Sequence, residues 1–259
     1  MVWLTLSYGR NLGYHIHPSI ATGLDQFSRI ADIGTGTGIY LLELSRQLPR
    51  TYQFDGFDIS DVQYPSPEAL PANVSLTLQD ARQAFPADLK GKYDLVHLRL
   101  MVLGMEKQDW EVVAANAIQL LKPGGAIQWA EGNFLHCAYL RGSNTIPKNM
   151  EHVGRRFHEV IGHHLLYGHS TLPAIFKQQG LHGVFQDIVA SDRVPETRED
   201  ITKISFDGIF GWAHQMHIKA APGAWTPQEI KKLERKCEEE IVAGGYCRFE
   251  MYVTIGYTQ

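Results

Sequence analysis

The stretch Ile30-Ala31-Asp32-Ile33-Gly34-Thr35-Gly36-Thr37-Gly38 constrains this chain more than any other. An apolar run carries an acid, turns through alternating glycines and opens into the amphipathic Ile39-Tyr40-Leu41-Leu42-Glu43-Leu44. A buried strand that passes through a tight loop into a helix packed back on its sheet reads this way. Glycine serves where a loop takes unusual dihedrals and where a ligand must approach the backbone without a Cβ in the way. The helix that follows offers unpaired N–H groups and the positive end of its dipole to the same place. A polar small molecule is expected there.

Strand and helix alternate from Arg29 onward. Strands are predicted over 30–33, 52–58, 74–78, 93–98 and 126–130, with helices over 39–47 and 110–121. That order implies right-handed crossovers and a parallel sheet with helices on both faces. A short amphipathic helix over 3–14 precedes it, ended by the turn His15–Ile20, where Pro18 holds His17 extended. The rhythm changes after residue 130. Met150, Val153, Phe157, Ile161 and Leu165 recur at helical spacing and predict a helix over 148–167. A helix over 171–179, a strand over 183–190 and a helix through Ile201–Met216 follow. Thr226-Pro227-Gln228-Glu229 reads as a capping-box start to a last helix, stopped at Gly244-Gly245, and 248–257 closes as β structure. The expected organisation is one domain: an N-terminal lid segment 1–28, a core 29–137, and helical insertions over 138–170 and 196–245.

Composition narrows the partners. A net charge of −4 without basic runs disfavours nucleic acid. Three scattered cysteines fit reduced thiols, and the absence of a basic n-region or a long apolar run points to a cytoplasmic chain without a membrane partner. His158 and His163 stand five apart, so on a helix they diverge by about 140°, and no metal site is expected.

Ligands of open α/β sheets bind beyond the carboxyl ends of the strands, at the switch point. Asp32, Asp58 and Asp80 fall at or beside such ends. Asp58 comes twenty positions after Gly38, where a carboxylate can take both hydroxyls of a ribose. Asp80 is placed for an adenine amino group, with Ala81 supplying an N–H. A dinucleotide loop requires its third glycine at the sixth position. Ile39 stands there instead, and the third glycine arrives early, at Gly38. Asp32 would repel a pyrophosphate, but suits a ligand that carries an ammonium and a sulfonium.

With Asp32–Gly38, Gly56-Phe57-Asp58-Ile59-Ser60, Gln79-Asp80-Ala81, Tyr93-Asp94-Leu95-Val96-His97 and Leu120-Leu121-Lys122-Pro123-Gly124-Gly125 in order, the chain resembles the class I S-adenosylmethionine-dependent methyltransferases over 29–131. More narrowly, it is similar to the fungal secondary-metabolite methyltransferases, the group that includes the gliotoxin-pathway N-methyltransferase. His17-Pro18-Ser19-Ile20, His97-Leu98-Arg99-Leu100, Gln128-Trp129-Ala130-Glu131 and Trp225–Glu229 carry that likeness.

The resemblance implies a Rossmann-like, mostly parallel seven-stranded sheet with a helical cover from the two insertions, and S-adenosylmethionine as cofactor. Gly34, Thr35 and Gly36 would hold the methionine part, Asp58 the ribose, Ile59 the adenine face, and Asp80 with Ala81 the adenine rim. His97 would lie near the transferring methyl, with Tyr8 and Tyr14 as a lid. The implied reaction moves a methyl group to an O or N atom of a small aromatic or heterocyclic metabolite, by a monomer or homodimer. His97, Glu131 and His136 are the candidates for a base. Each has a second role open: packing beside the cofactor for His97, local pairing for Glu131, a polar loop position for His136. Two rival functions share the scaffold, a cofactor-binding pericyclase and a regulatory protein.

Overall fold

The computed structural model describes residues 3–142 and 145–259. Its centre is β1 (Arg29–Ile33), whose residues Ile30, Ala31, Asp32 and Ile33 are all buried. On one side β1 pairs with β2 (Gln53–Asp58), and β2 with β3 (Val74–Leu78); on the other it pairs with β4 (Tyr93–Arg99), and β4 with β5 (Leu121–Leu140). These four pairings are parallel. With β6 (His182–Ala190) and β7 (Tyr246–Tyr257) the sheet has seven strands in the order β3-β2-β1-β4-β5-β7-β6. The order reverses between β1 and β4, which defines the switch point.

The first crossover follows the sequence closely: Gly38 takes φ +71° as the cap, and α3 (Ile39–Gln47) runs to the residue before Leu48. It is preceded in the chain by α1 (Trp3–Leu12) and α2 (Pro18–Ala21). The connections into β3 and β4 hold only single 3-10 turns, at Pro67–Ala69 and Ala87–Leu89. Pro65, Pro67, Pro71 and Pro86 explain this, since each lacks an N–H and holds its predecessor extended.

Two boundaries differ from expectation. The helix expected over 110–121 is α4 (Asp109–Ile118), and β5 starts at Leu121 rather than 126 and extends to Leu140. Tyr93 pairs with Leu121 and Leu95 with Ala126, so a register shift absorbs Lys122-Pro123-Gly124-Gly125 within the strand pair. The helix expected over 148–167 stops as α5 (Lys148–Ile161) at Gly162, with a 3-10 turn at His164–Leu166. Then come α6 (Leu172–Gln178), α7 (Arg198–Ile218) and α8 (Pro227–Val242). The capping box on α8 forms as read, with the Thr226 side chain on the Glu229 N–H and the Glu229 carboxylate on the Thr226 N–H.

The chain resolves into two compact units. One comprises 13–132, 164–188 and 251–259; its core includes Trp129 between Trp110 and Phe176, with centroids 5.5 and 6.4 Å away. The other comprises 1–12, 133–163 and 189–250, where Phe134 meets Phe249 at 4.7 Å and α7 packs on α8. Among the described residues no helix is long and apolar enough to cross a membrane.

Candidate active site

Gly34, Gly36 and Gly38 take φ of +72°, +55° and +71°, the left-handed region that glycine enters at least cost. The loop is stitched to the end of β2. The N–H groups of Gly34 and Thr35 both donate to the Phe57 carbonyl, at 2.8 and 3.0 Å, and the Gly36 N–H donates to Asp58 Oδ2 at 2.8 Å. Asp58 Oδ1 accepts the Ser60 N–H at 3.2 Å. The carboxylate twenty residues beyond the loop is therefore fixed by backbone donors on both oxygens.

An open cleft with about 740 Å³ of empty space lies at this end of the sheet. Gly34, Asp58 and Ile59 line it, with Gln79 to Arg82 after β3 and Arg99 to Met101 at the end of β4. Ile59 is 58 % exposed, an apolar side chain held in solvent at the cleft. Leu100 adopts φ +54° without being glycine, at a cost of about 1–3 kcal/mol, and its N–H donates to the Ala130 carbonyl at 2.9 Å. The Met101 that follows sits so close over Gly34 that a Cβ there would collide with its Sδ.

Of the cofactor residues read from the sequence, the cleft gathers Gly34, Asp58, Ile59, Asp80 and Ala81. Asp80 is not free, however. The Arg82 guanidinium grips it through Nε and Nη2, both at 2.9 Å, and that bond holds its carboxyl below the usual range. The Ala81 carbonyl accepts Asn116 Nδ2 from α4 at 2.9 Å. Thr35 is buried in the loop.

Asp32 and His97 lie outside the cleft lining, paired with each other. They face across β1 and β4 in register, with Asp32 Oδ1 2.7 Å from His97 Nδ1. The His97 ring stacks on Tyr40 of α3 at 3.7 Å and 15°, and the Tyr40 hydroxyl donates to the His15 carbonyl. Burial lowers the His97 pKa despite Asp32, which raises it, and Arg99 lowers it further. One oxygen of the acid expected to face a ligand ammonium is thus taken by a histidine.

Glu131 is wholly buried; its Oε1 accepts the Met101 N–H and the Trp129 indole N–H, each at 2.8 Å. Burial raises its pKa to about 7 against those donors. His136 is exposed on β5, in the unit that also holds Tyr8, a buried residue of α1. Tyr14 belongs to the glycine-loop unit, where its hydroxyl donates to Asp187, which also meets His17 Nε2 at 3.0 Å. Arg82, Met101 and the Tyr40–His97 stack were not read from the sequence. Arg82, two residues after Asp80, left a local signal; Met101 and Tyr40 left none.

The left-handed glycines, the anchored Asp58 and the solvent-held Ile59 fit a nucleoside with a small charged tail. A family model described as "Methyltransferase domain" matches residues 15–187. The methyltransferase grgD of a Penicillium species is 32% identical over 238 residues, covering 84% of this chain and 78% of that one. The N-methyltransferase tcpN of Claviceps purpurea is 34% identical over 108 residues, 41% of this chain and only 38% of its own length. Among solved structures, the [4+2]-cyclase SpnF superposes with a TM-score of 0.52 at 17% identity, over 93% of this chain and 79% of that one. The cyclase shows a shared fold and nothing more, whereas the family match and the Penicillium relative place the chain itself: it belongs to the methyltransferase-domain family.

Proposed function

We propose that the protein transfers a methyl group from S-adenosylmethionine to a nitrogen or oxygen atom of a small metabolite. The observation that carries this is the Gly36 N–H bond to Asp58, which sets a carboxylate beside a left-handed glycine loop in an open cleft. S-adenosylmethionine supplies a sulfonium methyl that is already electrophilic. The chain's task is therefore to bind, orient and desolvate more than to activate. Gly34, which lines the cleft beside Met101, meets the methionine part, Asp58 takes the ribose hydroxyls, and Ile59 covers the adenine. Ala81 lies at the adenine rim, and Asp80 serves there after exchanging Arg82 for the adenine amino group. His97, buried outside the cleft lining with Asp32 on its Nδ1 and Tyr40 stacked on its ring, takes the packing role behind the cofactor rather than the role of base. Nitrogen is the favoured acceptor atom, since curated relatives include N-methyltransferases.

Tritium transfer tests the reading. Incubation with methyl-labelled cofactor and small aromatic or heterocyclic metabolites should move label into a product whose labelled atom is identified by mass spectrometry. A substrate that rearranges without gaining label would replace this reading with a non-methylating one.

A further inference from the structure

We propose that Glu131 is a positioning residue for the cofactor: its buried carboxyl holds the wall of the cleft, at Met101, against Gly34. The assignment rests on the methyltransferase reading but concerns a residue that does not line the cleft.

The geometry forms a continuous chain of contacts. Leu100 ends β4 in a left-handed conformation, so the backbone turns sharply, and Met101–Gly104 makes a single 3-10 turn. A turn this short has little hydrogen bonding of its own. Glu131 supplies what it lacks, accepting the Met101 N–H at 2.8 Å, with the Val102 N–H also directed at the carboxyl. The Trp129 indole donates to the same oxygen, and Gly168 and Trp110 close over the side chain: a Cβ at Gly168 would press on both Trp110 and Glu131 Cγ. Met101, so held, lies over Gly34. The carboxyl thus connects the centre of the core to the backbone on which the methionine part rests.

The second oxygen explains why the connection is sensitive to protonation. Oε2 is buried with no hydrogen-bond partner among the described residues. An ionised carboxylate there needs solvent, whereas a neutral carboxyl keeps the enclosure shut. The causes of its raised pKa are burial opposed by the three N–H donors, with no charged neighbour among them. Titratable groups on the surrounding elements include Tyr93, Asp94, His97 and Arg99 on β4, Asp109 and Glu111 on α4, His169 after Gly168, and Glu106 with His164, 3.8 Å apart. A cofactor seated against this wall favours the form of Glu131 that keeps Met101 in place on Gly34, the neutral one, so binding and proton uptake at Glu131 are linked.

Calorimetric titration with S-adenosylhomocysteine from pH 5.5 to 8.5 tests this. For a proton affinity that rises by one unit on binding, the dissociation constant of the wild type increases about tenfold across pH 7, with proton uptake seen in buffers of different ionisation heat. Glu131→Gln keeps an acceptor without a charge and should remove the pH dependence. Met101→Ala leaves the carboxyl in place but cuts its connection to Gly34, and should both weaken binding and flatten the profile. Glu131→Gln with an undiminished pH profile overturns the proposal, and so does a wild-type affinity that ignores pH. Failure of the wild type to bind at any pH would instead overturn the cofactor reading.

Discussion

At the scale of single residues, two buried titratable groups of the cofactor unit, His97 and Glu131, shift in opposite directions. His97 has a lowered pKa, so its contribution to stability is present above the ordinary histidine value and is lost as pH falls through the folded value. Glu131 has a raised one. Its contribution is full below the ordinary carboxyl value, about 4.5, and disappears as pH rises through about 7. The rise from about 4.5 to about 7 corresponds to about 3 kcal/mol at most. Urea unfolding of the wild type and Glu131→Gln should therefore diverge with pH. The stability of the variant relative to the wild type should rise by up to about 3 kcal/mol between pH 5 and pH 8, whatever its offset at pH 5. A constant difference between the two proteins would show that Glu131 is ionised throughout, and would remove the buried neutral acid. Neither residue was fully legible in sequence. The spacing put His97 at a strand end, but its register with Asp32 and its stack on Tyr40 arise only when β1, β4 and α3 come together.

At the scale of elements, local chemistry was legible wherever local residues decide the outcome. Thr226, Pro227 and Glu229 specify a helix start through bonds within four residues, and α8 begins there. Gly38 specifies the start of α3 through its own dihedrals. The ends of β5 differ from those the sequence predicts because they depend on partners: Tyr93 recruits Leu121, and the Pro123-Gly124-Gly125 that reads as a break is absorbed by a register shift. The run beyond residue 130 likewise continues as strand to Leu140 without a strong alternating pattern in the sequence. These cases separate helix caps from strand lengths as readable features. They also give a measurable expectation. Thr226→Ala removes the side-chain half of the capping box on an exposed helix end, and should lower unfolding free energy by about 1 kcal/mol. Thr226→Ser should restore most of that loss. Equal stability for all three proteins would mean that α8 is held by its apolar face, through Ile230, Cys237 and Ile241, with no measurable help from its cap.

At the scale of the whole molecule, the part of the site written in the sequence is the part made by backbone and strand ends. The glycine loop and Asp58 lie in adjacent βα and β segments, so spacing alone relates them. Arg82 on Asp80, Met101 over Gly34 and Glu131 beneath Met101 join segments whose contact no periodicity announces. The same distinction sets how ligand binding should register globally. A ligand that binds only the folded chain at a hundred times its dissociation constant stabilises it by about 2.7 kcal/mol, which for a chain of this size raises Tm by about 5–10 °C. S-adenosylhomocysteine should produce that shift in the wild type. Asp58→Ala removes a carboxylate expected to take charge-assisted bonds from the ribose, worth about 1.5–3 kcal/mol, so binding should weaken at least tenfold. At the same ligand concentration the thermal shift should then fall to about half or less. Asp58 also anchors the Gly36 N–H, so the variant's Tm without ligand must be compared first, and Asp58→Asn, which keeps one acceptor for that N–H, separates loop support from ribose binding. If Asp58→Asn and the wild type show the same ligand-induced shift, the carboxylate is a brace for the glycine loop and the ribose is held elsewhere in the cleft.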